Sequence, residues 1–191
     1  MTSDDLGSAL LAIARMAIAE SLGLREAADA NHPALSRPAA TFVTLKQRGE
    51  LRGCIGTLEA FRPLALDVRE NAIGAAFRDP RFLPLAAGEL ARTSVEVSLL
   101  SDSETLDVAD ECDLLPLLHP GQDGVTLAFG GQRATFLPQV WDQLADPLEF
   151  LGALKRKAGL PANFRSPQIR YSRYAVTRWA ETDPAIAPAQ T

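Results

Sequence analysis

Thr41-Phe42-Val43-Thr44-Leu45-Lys46, then Gln47-Arg48-Gly49, then Glu50-Leu51-Arg52-Gly53-Cys54-Ile55-Gly56 is the run whose reading decides the fold. Residues 41–46 and 50–58 are extended-type runs, and the three residues between them have the length and glycine content of a hairpin turn. The stretch therefore reads as two antiparallel strands. Downstream, Pro63 suits the first position of a helix whose apolar residues Leu64, Val68, Ala72, Ala75 and Ala76 keep a helical period through Phe77, where Asp79-Pro80 breaks it. A short helix over 84–90 and a strand over 93–100 follow. In that strand Val95, Val97 and Leu99 alternate with Ser94, Glu96 and Ser98, the pattern of a strand with one buried face.

Upstream, Leu6, Leu10, Ile13, Ala17 and Ile18 recur at helical spacing before Gly23, which predicts a helix over 4–22, and the proline-bearing 31–38 reads as a loop. Past an acidic connector at 101–113 and a short helix at 114–118, strands 125–129 and 132–137 flank Gly130-Gly131, a second hairpin. Pro138 opens a helix to about residue 144. Asp146-Pro147-Leu148-Glu149 starts another that Gly159 closes, and the β-rich 168–179 is the last strand. Hairpin, helix, helix, strand thus occurs twice, at 41–100 and 125–179, which predicts an internal structural duplication. The fold class is α+β, a mostly antiparallel sheet flanked by helices, because hairpins supply many of the pairings. One domain is expected over 1–181, with 182–191 a disordered Pro/Ala tail.

The chain has 191 residues, 47% hydrophobic and 23% charged, with net charge −5. That is an ordinary globular balance, and without a Lys/Arg block it argues against nucleic-acid or anionic-membrane binding. No apolar run is long enough to span a bilayer, and the opening Met1-Thr2-Ser3-Asp4-Asp5 lacks a basic segment, so a cytoplasmic setting with both cysteines as thiols is expected. His32 and His119 are the only histidines and have no partner at ligand spacing, which argues against a zinc site, and no glycine-rich phosphate loop is present. No cofactor is expected.

The candidate site is the segment 51–56. Period-two alternation puts Leu51, Gly53 and Ile55 on one face and Arg52, Cys54 and Gly56 on the other, with Arg52 and Cys54 about 7 Å apart, close enough for the guanidinium to stabilise a thiolate. Gly53 and Gly56 suit a bulge or the close approach of a ligand or backbone, and a bulge at Gly53 would change the faces. Glu96, on the polar face of its strand, is the second candidate, as ion-pair partner of Arg52 or as a carboxylate near the thiol. Asn71 and the Asp79-Pro80-Arg81-Phe82 turn add Asn71, Asp79 and Arg81 as binding groups. Cys112 sits in an acidic stretch and reads as inert. Arg165, Arg170, Arg173 and Arg178, interleaved with Tyr171, Tyr174 and Trp179, read as a snorkelling strand.

Leu51-Arg52-Gly53-Cys54-Ile55-Gly56-Thr57, Asn71-Ala72 with Ala75-Ala76-Phe77, Asp79-Pro80-Arg81-Phe82, Val95-Glu96-Val97-Ser98, Ala134-Thr135-Phe136-Leu137-Pro138 and Lys157-Ala158-Gly159-Leu160 together resemble the AMMECR-one domain family, whose small prokaryotic members are called AmmeMemoRadiSam system protein A. The resemblance implies two repeated units around one curved, barrel-like antiparallel sheet, with the six-residue motif functionally important. It also implies the company of a Memo-type protein and a radical SAM protein, and it implies no reaction. Where many relatives carry His-Gly before the second hairpin, this chain has Asp123-Gly124. Three readings stand open: a binding or accessory protein with a cleft at the motif for a small anion or a partner's segment, a thiol-dependent enzyme using Cys54 with Arg52 tuning it and Glu96 or Asp79 handling protons, and a structural or protein-interaction module.

Overall fold

The structure is a computed structural model and describes residues 3–24 and 30–182. The tail expected to be disordered lies, from residue 183, outside the described residues. The chain divides into two units, one of residues up to 100 and from 177, the other of residues 101–176.

In the first unit β1 (Thr41–Gln47) and β2 (Glu50–Gly56) form the expected hairpin. Its turn is two residues long, with φ of 53° at Arg48 and 80° at Gly49, the positive values that a tight hairpin turn requires. β3 (Ser94–Leu100) pairs antiparallel with the other edge of β1, and β8 (Val176–Ala180) lies beyond it, giving the order β2-β1-β3-β8. α1 (Ser3–Ser21) and α2 (Leu64–Phe77) contribute the apolar stripes read in the sequence, and these pack with Val43, Leu45, Val95 and Val97 into one core. The helices thus cover one sheet face, and the residues alternating with those valines, Phe42, Thr44, Lys46 and Glu96 among them, occupy the other.

The second unit has the order β4-β7-β5-β6, built from β4 (Glu104–Leu106), β5 (Gly124–Phe129), β6 (Gln132–Phe136) and β7 (Arg170–Tyr174). A one-turn helix α3 (Glu111–Leu114) precedes β5. α4 (Pro147–Lys157) starts as its sequence demands: Asp146 accepts from the N–H groups of Leu148 and Glu149, both at 2.9 Å, and Gly159 closes the helix at φ 84°. Its core gathers Val125, Leu127, Leu151, Leu154 and Phe150, with Phe150 stacked on Trp141 at 3.6 Å.

The α+β class with antiparallel pairing and flanking helices is what the structure has. Closure is the correction: the described strands form two separate four-stranded sheets, with no closed barrel. The run 168–179, read as one strand, is cut at Ala175, whose N–H is taken by Ser101 Oγ at 3.0 Å and whose carbonyl accepts from Ser101 N–H at 2.9 Å. β7 and β8 therefore serve different sheets. The short helices expected at 84–90 and from Pro138 are 3-10 turns at Ala87–Arg92 and Pro138–Asp142, and the acidic connector hides β4.

Candidate functional site

The hairpin register sets the site. Leu45 lies opposite Gly53 but Lys46 lies opposite Leu51, so Arg52 is an inserted, bulged residue. The face assignment read from strict alternation is corrected accordingly. Cys54 is opposite Thr44 on the face away from the helices, Leu51 joins that face, and Gly53 and Ile55 turn to the helices. Arg52 leaves Cys54 altogether: its Nε and Nη2 donate to the Glu89 carboxylate at 3.3 and 3.2 Å, and its Nη1 is buried without a hydrogen bond among the described residues. The Arg52–Glu96 pair is not formed. Glu89 also accepts from Ala86 N–H and Gln47. The Ala86 N–H, then Arg52, hold its carboxyl down at about 2.

Gly53 admits α2. A Cβ there would stand 2.1 Å from the carbonyl oxygen of Ala75, and one at Gly56 would stand 2.3 Å from the Phe42 ring. The close approach expected of these glycines is made by the protein itself.

Cys54 is clamped at the edge of its sheet. Its N–H donates to Asp79 Oδ2 at 2.8 Å, and Arg81 Nη2 donates to its carbonyl at 3.4 Å, so a side-chain pair satisfies groups that an edge strand would otherwise leave open. Asp79 also accepts from Arg81 Nη2 at 2.7 Å. This guanidinium, helped by the Cys54 N–H and opposed by burial, keeps its carboxyl well below the usual carboxylate range. With Cys54 backbone groups aimed outward, Thr44 and Cys54 form the non-hydrogen-bonded kind of pair, whose side chains lie closer. Thr44 Oγ1 donates to Cys54 Sγ at 3.2 Å.

Glu96 lies on the far side of Thr44, in the same cross-strand row. Its carboxylate is held by Lys46 Nζ at 2.9 Å and Arg178 Nε at 3.3 Å. Two strand spacings separate it from Cys54, about 9–10 Å between backbones. Of the C-terminal arginines, Arg178 thus belongs to this row, while Arg173 pairs with Glu104.

Asn71 is 3% exposed and belongs to a closed network that sequence reasoning missed. Asp67 accepts from Thr41 N–H (2.8 Å), Thr41 Oγ1 (2.6 Å), Thr57 Oγ1 (2.8 Å) and Arg62 Nε (2.8 Å), and Asn71 Nδ2 donates to Asp67 and to the Thr41 carbonyl. These residues tie α2 to the start of β1 and the end of the hairpin. Asp123 accepts from His119 N–H at 2.8 Å and lies 3.1 Å from His119 Nδ1.

The described cavity lies elsewhere, in the second unit, lined by residues 108–112, 165–167, Ile169 and Tyr171. No motif announced it. No cluster of possible metal ligands occurs among the described residues, and no described helix is long and apolar enough to cross a membrane.

A two-unit α+β protein with a clamped cysteine hairpin is the class so defined, and comparison with known proteins places it. The chain matches the AMMECR1 family over residues 11–179 and belongs to that family. It is 42% identical over 178 residues to a protein of Methanothermobacter thermautotrophicus, covering 90% of this chain and 92% of that one. A protein of Saccharolobus islandicus is 35% identical over 195 residues, covering 95% and 84%. Among solved structures, the crystal structure of the uncharacterized protein PH0010 from Pyrococcus horikoshii superposes with a TM-score of 0.78 at 29% identity, covering 94% of this chain and 93% of that one.

Proposed function

We propose that this chain is a binding or accessory protein, working in the cytoplasm, whose recognition surface is the polar face of the first sheet. One observation carries the reading: in the row Cys54, Thr44, Glu96, every polar group already has a partner that is no proton acceptor for the thiol. Sγ takes the Thr44 hydroxyl, and Glu96 is held between Lys46 and Arg178. A nucleophilic cysteine generally works with a base in reach of its thiol; the carboxylate of the row stands two strands away, and the Asp79 carboxylate is occupied by the Cys54 N–H and the Arg81 guanidinium. Two cations around one carboxylate leave the row one positive charge, which suits a small anion or an acidic segment of a partner.

The test is an amide-resonance titration with inorganic phosphate and with succinate. Saturable shifts are expected at Lys46, Glu96 and Arg178. Cys54→Ser should bind within about twofold of the wild type, and Lys46→Met should weaken binding about fivefold through the lost charge-assisted bond. Loss of binding in Cys54→Ser with retention in Lys46→Met would return the thiol-enzyme reading. Memo-type and radical SAM proteins are the partners to try in co-elution, as the family resemblance implies.

A further inference from the structure

The cavity of the second unit, remote in sequence from the cysteine motif, has a volume of about 210 Å³. That is ample room for a small metabolite. Its walls are mostly apolar: Val108, Ala109, Pro167, Ile169 and the ring of Tyr171.

The polar groups on its wall divide sharply. Glu111 is neutralised from within, because Lys155, 2% exposed, forms an ion pair with its Oε1 and also donates to the Ala162 carbonyl at 3.2 Å. The Tyr171 hydroxyl donates to the same Oε1 at 3.2 Å. Burial and this carboxylate push the phenol up, so it stays a neutral donor. Asp110 turns one carboxylate oxygen to its own helix, accepting from Cys112 N–H at 2.7 Å and Asp113 N–H at 3.2 Å. Arg165, by contrast, makes no ion pair with any described residue. Next to it, Ser166 Oγ accepts from Gln168 N–H at 3.2 Å, which leaves the hydroxyl hydrogen free to donate. A cation without an ion pair among the described residues and an available donor are adjacent in the chain, at the wall of a mostly apolar space that also carries the Asp110 carboxylate.

We propose that this cavity is a binding site for a small monocarboxylate with an apolar or aromatic body, its carboxylate on Arg165 and Ser166 and its body against Tyr171, Val108, Pro167 and Ile169. A planar arginine fork suits a carboxylate, and an aromatic ligand gains ring contact with Tyr171. The buried Lys155–Glu111–Tyr171 group holds the wall in shape, since removing any member would leave a charge or donor without its partner. The site is independent of the Cys54 face, and neither reading depends on the other.

The probes are phenylacetate, its neutral counterpart 2-phenylethanol and its cationic counterpart phenethylamine, followed by amide resonances and by iodoacetamide labelling of Cys112, which lines the cavity and is exposed. Phenylacetate should give saturable shifts at residues 108–112 and 169–171 and slow Cys112 labelling while leaving Cys54 labelling unchanged. Arg165→Gln, at an exposed position, should weaken phenylacetate about tenfold and leave 2-phenylethanol unchanged. Any one of three results overturns the proposal: no saturable shift at tens of millimolar phenylacetate, equal binding of the alcohol or amine, or an Arg165→Gln variant that binds phenylacetate as the wild type does.

Discussion

A methyl group on Gly53 would meet the carbonyl oxygen of Ala75, a backbone atom of α2 that no rotamer change can move aside. Gly53→Ala should therefore destabilise the protein by about 3 kcal/mol in urea unfolding. Gly88→Ala, where nothing lies within 4 Å, should stay within about 0.5 kcal/mol. A near-neutral Gly53→Ala would mean that β2 and α2 can separate freely. Glu89 supplies the pH dependence. Its folded value, about 2, lies below the ordinary 4.5, so its contribution is present above about pH 4.5 and fades as pH falls toward 2. The stability gap between wild type and Glu89→Gln should be widest near neutrality and close across that window, as urea unfolding at stepped pH would register. A gap independent of pH would remove the Arg52–Glu89 pair from the account.

Elements are joined in the first unit by a buried polar knot. Asp67→Ala removes the acceptor of Thr41, Thr57 and Arg62 at once and leaves Asn71 short of a partner, so it should cost about 3–5 kcal/mol, far more than an exposed helix charge. Denaturant unfolding checks this, and a loss under 1 kcal/mol would contradict it. Nothing in the sequence distinguished Asp67 from a solvated helix residue, because its partners come from three other segments. The same physical division runs through the fold. The hairpin at 41–56 and the start of α4 were legible, since alternation, turn glycines and the Asp146-Pro147 cap are local signals. The bulge at Arg52 was not. It depends on how β2 meets α2 and Glu89, and one inserted residue reverses which side chains share a face. Within residues 51–56 the geometry gives Arg52, Gly53 and Gly56 structural tasks. The break at Ala175 depends on Ser101, more than 70 residues away, and the cavity joins residues 108–112 to 165–171 without any motif.

Across the whole molecule the two sheets repeat one arrangement, β2-β1-β3 in the first unit and β6-β5-β7 in the second. Register aligns Thr44 with Thr126, each three residues before the end of its strand. Cys54 and Glu96 then correspond to Thr135 and Ser172. The second row holds hydroxyls only, with Thr135 between Thr126 and the Tyr174 hydroxyl at 3.0 Å each, while the first holds a thiol, a hydroxyl and a carboxylate, the last held by Lys46 and Arg178 from outside the row. Charge at these shared positions is confined to the first sheet, which is why recognition is assigned there. Acid should discriminate the units as well. Asp79 and Glu89, both depressed, belong to the first, so amide exchange from pH 7 to pH 3 should strip protection from β1 and β2 before β5 and β7. Simultaneous loss would show that these carboxylates do not govern acid lability. The central claim, that Cys54 is a held member of the sheet face and not an activated nucleophile, is tested most directly by competition between the two cysteines for iodoacetamide at neutral pH, read by peptide mass. Cys112, which reads as inert from its acidic neighbours, is exposed, and Cys54 is half-buried beneath the Thr44 hydroxyl, so Cys112 should be labelled several-fold faster; labelling of Cys54 ahead of Cys112 would contradict the account.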